Sequence, residues 1–97
     1  MATYIALGNF TDQGVRSVKD STKRADAVKE AAKKFGASVT QIYWTLGHYD
    51  VVSIIEAPDD KSATAFALAV GAAGNVRTQT LRAFSKDEMN GILGKMA

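Results

Sequence analysis

Residues 38–57 read SVTQIYWTLGHYDVVSIIEA, two runs rich in β-branched and aromatic residues on either side of Gly47-His48. Such runs are strand formers, so 38–46 and 49–57 are expected as strands joined by a short hairpin. Gly at the first central position of a two-residue loop favours a type II′ turn, which places Gly47 and His48 at the tip. Leu46 then opposes Tyr49, Thr45 opposes Asp50 and Trp44 opposes Val51. Side chains alternate along a strand. Ile42, Trp44, Leu46, Tyr49, Val51 and Ile55 therefore share one face, apolar enough to lie under helices, with Trp44 in the core.

The other face carries Gln41, Tyr43, Thr45, Asp50, Val52, Ile54 and Glu56. A sheet face open to water is normally polar, yet Tyr43, Val52 and Ile54 interrupt this one. One layer of helices covers only one side, so a second copy of the chain is expected on the other, stacked sheet to sheet about a two-fold axis. A contact of that kind encloses space with mixed apolar and polar walls, the usual lining of a small-ligand pocket. Tyr43, Thr45, Asp50, Ile54 and Arg82 are the expected ligand-facing residues. A partly buried carboxylate needs hydrogen bonds or a cation, and Arg77 and Arg82 are the expected partners of Asp50.

The flanking sequence supplies the other elements. TYIALGNF (3–10) and NVRTQTLRAF (75–84) read as strands. Thr11 is positioned to cap a short first helix. Ala25, Val28, Ala32 and Phe35 line one face of a second helix, which Gly36 stops. In APDDKSATAFALAVGAAG (57–74), Pro58 and two acids mark a helix start, and Ser85 with Glu88 forms a capping box before a terminal helix. The order β-α-β-β-α-β plus a helix is the split βαβ, or ferredoxin-like, arrangement. The expected class is α+β: a four-stranded antiparallel sheet and a C-terminal helix in one domain, residues 1–97.

Composition narrows the function. With no Cys there is no disulfide or thiolate metal site, and one His builds no His-rich site, so neither metal nor cofactor is expected. The net charge of +2 is too small to imply nucleic acid, and strands 3–10 and 49–56 lack the basic-aromatic consensus of RNA-recognition modules. MATYIALGNF has neither a basic leader nor a long apolar segment, and no run approaches a membrane span. A cytoplasmic location is the expectation.

Four stretches, TDQGVRSVKDS, YWTLGHYDVV, EAPDD and GNVRTQTLRAF, together resemble the GYD-motif family of small bacterial proteins. The signature Gly-x-Tyr-Asp falls on Gly47, Tyr49 and Asp50, with His48 at the unspecified position. The resemblance implies a ferredoxin-like subunit of a dimeric α+β barrel and supplies no reaction. The wider superfamily includes haem-degrading and cofactor-independent monooxygenases and lactone isomerases, in whose terms Asn9, Trp44 and His48 would be an Asn/Trp/His set. Two readings follow. The first is a homodimer or higher oligomer that binds a small, partly apolar ligand. The second is a cofactor-free monooxygenase- or isomerase-like enzyme with Asp50 or His48 as general base in the same cavity.

Overall fold

A computed structural model describes residues 1–96. The strands are β1 (Ala2–Phe10), β2 (Ser38–Trp44), β3 (Val51–Ala57) and β4 (Val76–Ala83). The helices are α1 (Asp12–Arg16), α2 (Ser21–Ala32), α3 (Asp60–Ala72) and α4 (Lys86–Gly94). The sheet order is β2-β3-β1-β4 with every pair antiparallel, the split βαβ order. The α+β class, the four-stranded antiparallel sheet and the terminal helix stand as expected.

The barrel does not. β2 and β4 are the outer strands, each paired on one side only, and they do not pair with each other, so the sheet is open. Closing a sheet takes a consistent tilt and stagger that brings its two edges together, and four strands here leave the edges apart. The expectation of an α+β barrel is corrected to an open sheet.

The Thr11 and Ser85 caps formed where the sequence placed them, whereas α3 is capped by Asp59 and leaves Pro58, expected in its first turn, outside the helix. The Thr11 hydroxyl accepts from Gly14 N, and Asp59 accepts from Ser62 N at 2.8 Å, which starts α3 at Asp60 with Pro58 just before the cap. Ser85 and Glu88 form the reciprocal capping box. Gly14, inside α1, permits a close approach. A Cβ there would lie 2.1 Å from the Asn75 carbonyl oxygen, so only Gly lets α1 seat against the loop before β4.

The core lies on one side of the sheet. Tyr4, Ala6, Ile55 and Ala57 point toward Ala32, Ala63 and Phe66, with Val28, Phe35, Val39 and Val70 packed around them. Phe66 is 2% exposed, its ring 5.9 Å from Phe35. Phe66→Ala should cost about 3–5 kcal/mol by lost transfer energy and cavity formation, read as a shifted urea midpoint at constant slope.

Tyr4 reaches the edge of this core, where its hydroxyl donates to the Asp60 carboxylate at 2.5 Å. That bond, with burial, pushes the phenol above its ordinary value of 10.0. The folded chain holds this proton more tightly than the unfolded one, so the stabilisation is complete below pH 10.0 and is lost as the pH rises through the folded value. Urea titrations should show this alkaline decline in the native chain and a shallower one in Tyr4→Phe.

Candidate functional site

The hairpin register is the expected one where the ladder persists: Trp44 pairs with Val51, and Thr45 N donates to Asp50 O at 2.8 Å. Gly47 takes a φ of 106°, which the turn needs and other residues resist. An irregularity between Val39 and Gln41 inserts one extra residue in β2.

Beyond Thr45 the strand alternation lapses. Leu46 is fully exposed, and the Tyr49 hydroxyl donates to Gln79 Oε1 at 3.0 Å on β4. Gln79 is opposite Leu7, on the side away from the helices, so Tyr49 crosses the end of β1 on that side and not on the helix side. Asp50 donates its backbone N–H to Gly8 O at 2.8 Å and accepts from Phe10 N at 2.9 Å through its carboxylate. Neither Arg77 nor Arg82 forms an ion pair with it. Asn9 closes the clasp by donating to His48 O at 2.6 Å. Tyr49, Asp50 and the His48 carbonyl thus tie the hairpin to β1 and β4.

The five expected ligand-facing residues are not brought together. Tyr43 and Ile54 lie on the sheet side away from the helices. Thr45 sits in the hairpin, its hydroxyl donating to Tyr49 O. Asp50 is the clasp. Arg82, opposite Tyr4, is on the helix side, stacked 5.6 Å over the Tyr4 ring and 4.6 Å over Phe84, with Glu88 at 3.6 Å. The His48 residue is exposed at the hairpin tip, and Asn9 and Trp44 occupy opposite sheet faces. Among the described residues no cluster of three or more His, Cys, Asp or Glu is arranged to hold a metal ion.

What the structure does assemble is an apolar surface. Ile5 is flanked by Ile54 and Leu81, Leu7 by Val52, and Val52 by Tyr43, so the patch crosses all four strands. None of these residues is buried; Tyr43 is 56% exposed and Leu81 40%. Arg77, Gln79, Gln41 and Glu56 border it. The residues from β2 and β3 were legible in the hairpin pattern. Ile5, Leu7 and Leu81 were missed, although the alternation in YIALGNF and TQTLRA places them at the same phase.

A family model described as GYD domain matches residues 4–93. The chain belongs to the GYD domain family. This GYD chain is 34% identical over 84 residues, 86% of its own length and 88% of the relative's, to a Thermus thermophilus protein named "Glutamine synthetase and cystathionine beta-lyase binding protein". It also resembles the crystal structure of TTHA0845 from Thermus thermophilus, with a TM-score of 0.57 and 24% identity over 88% of this chain and 95% of that one. The second likeness concerns the fold alone. Among the described residues of the GYD chain no helix is long and apolar enough to cross a membrane.

The clasp defines a test of the Asp50 role. Asp50→Asn keeps an acceptor for Phe10 N, whereas Asp50→Ala leaves that N–H without one and should cost about 1–3 kcal/mol more. Urea unfolding of both variants checks this; equal losses would remove the clasp as the reason for the acid.

Proposed function

We propose that this GYD chain is a small binding module that docks, through the open face of its sheet, onto a larger metabolic enzyme. The observation that carries the reading is the patch of Ile5, Leu7, Val52, Ile54, Leu81 and Tyr43, apolar at its centre and bordered by polar side chains. A contiguous apolar patch left uncovered on a sheet face marks an interaction site, and an apolar centre with a polar rim is the anatomy of a protein interface. The occupant is suggested by the Thermus relative, whose name states that it binds glutamine synthetase and cystathionine β-lyase. The scatter of the titratable groups supports binding over catalysis: His48 is at an exposed turn, Asp50 is held by a backbone N–H, and Arg82 is on the other side.

A second reading is favoured by the same apolar residues lying on a sheet face that no helix covers: two copies stack their open sheets as a homodimer, two separate sheets face to face. The two readings differ in what the chain does alone.

Leu81→Lys places a charge in the patch at a position that is already accessible, so the fold should tolerate it with a stability change within about 0.5 kcal/mol. Titration of the native chain against purified glutamine synthetase and cystathionine β-lyase, followed by biolayer interferometry, should give saturable binding to at least one. Leu81→Lys should weaken that binding at least tenfold. No binding to either enzyme by a monomeric native chain would end the docking reading. A native chain that sediments as a dimer, and Leu81→Lys as a monomer, would replace it with the homodimer.

A further inference from the structure

On the other side of the sheet, between α2 and α3, lies an apolar cleft of about 120 Å³. Its walls are Val28 of α2 and Val70 of α3, and its floor is Ile42, Trp44 and Val51. The cleft exists because the helices face the sheet with small side chains: Ala25 of α2 lines it directly, and Ala73 lines it just past α3. A Leu at either place would fill the space. The cleft opens to solvent on one side, with its floor residue Trp44 44% exposed, so a ligand can enter without the fold opening. Apolar cavities of about 150 Å³ stay dry and admit a benzene-sized molecule.

One charged residue lines the cleft. Arg24 on α2 is half-buried, with its guanidinium carbon 5.9 Å over the Phe10 ring. It donates to Ser17 O at 2.6 Å, to Ser17 Oγ at 2.9 Å and to Gly14 O at 3.2 Å. All three acceptors are neutral, and among the described residues no carboxylate pairs with it. A guanidinium carries five N–H donors, so donors remain, and a partly desolvated cation without a counter-charge favours an anion beside it.

We propose that this cleft is a binding site for a small monocarboxylate with a single apolar ring, the ring between Val28 and Val70 and the carboxylate toward Arg24. Charge complementarity sets the head group and the volume sets the body. The site is on the opposite side of the sheet from the docking patch and stands independently of that reading.

Trp44 is the chain's only tryptophan and forms part of the floor, so its fluorescence reports occupancy directly. The probes are benzoate and its uncharged counterpart, benzyl alcohol, at constant ionic strength. Benzoate should change Trp44 emission saturably, with a Kd of roughly 1 mM for a ligand of this size. Benzyl alcohol should bind the native chain about tenfold more weakly, the worth of a charge-assisted hydrogen bond. Arg24→Met should bring benzoate down to the level of benzyl alcohol and leave the alcohol unchanged. Val70→Phe should abolish the response to both by filling the cleft. The native-chain comparison of the two probes needs no variant, so it decides even if a substitution impairs folding. No saturable change at tenfold the expected Kd would overturn the site. Equal affinities for the two probes would overturn the carboxylate assignment.

Discussion

A single layer of helices covers a single face of a sheet, and this constraint organises the molecule. β1 is the central strand, hydrogen-bonded to β3 on one side and β4 on the other. Its even positions, Tyr4 and Ala6, enter the core, so its odd positions, Ile5 and Leu7, are directed to the uncovered side. Alternation then carries the neighbours along: Val52 and Ile54 on β3, Leu81 on β4. The molecule measures 52 × 31 × 17 Å, thin along one axis. Burial of apolar area is the main favourable term in folding, and here a substantial share of that area is left for something other than the chain's own helices. The α4 stripe adds to it, since Met89, Ile92 and Leu93 are exposed and no residue of that helix is buried.

The family signature acquires a physical meaning in this frame. Gly47 supplies a backbone angle, Tyr49 crosses β1 to Gln79, and Asp50 takes the Phe10 N–H. Gly47 shapes the turn, and Tyr49 and Asp50 hold the hairpin against the end of the central strand. Asp50, which looked like chemistry in the sequence, is a hydrogen-bond partner of the backbone, and such pairing is what a partly buried polar group requires. The ligand cleft, in contrast, depends on alanines and valines with no motif at all.

Local features were legible before the structure. Period-two alternation gave the Trp44–Val51 register, Gly47 gave the turn, and Thr11, Ser85 and Glu88 gave helix starts, because each depends on residues close in sequence. What was not legible depends on distant strands. Asp50 is bonded to a backbone N–H forty positions away, which no side-chain pattern announces, and Arg was the more obvious partner. Tyr49 departs from its expected face because alternation holds only while the ladder continues, and the ladder ends at Trp44 and Val51. Trp44 was placed on the right face but in the core, whereas it is 44% exposed and lines the floor of the open cleft. The barrel expectation came from resemblance, and a resemblance in one chain carries no information about whether its sheet edges meet.

The central claim is that the uncovered sheet face is the working surface of the domain. Its most direct test is methyl NMR on the chain labelled at Ile, Leu and Val, with a soluble paramagnetic probe, in the absence and presence of saturating enzyme partner. The methyls of Ile5, Leu7, Val52, Ile54 and Leu81 should relax rapidly in the free chain and become shielded in the complex, while Ile92 and Leu93 on α4 change less. Shielding confined to α4, with the five sheet methyls as accessible in the complex as in the free chain, would contradict it.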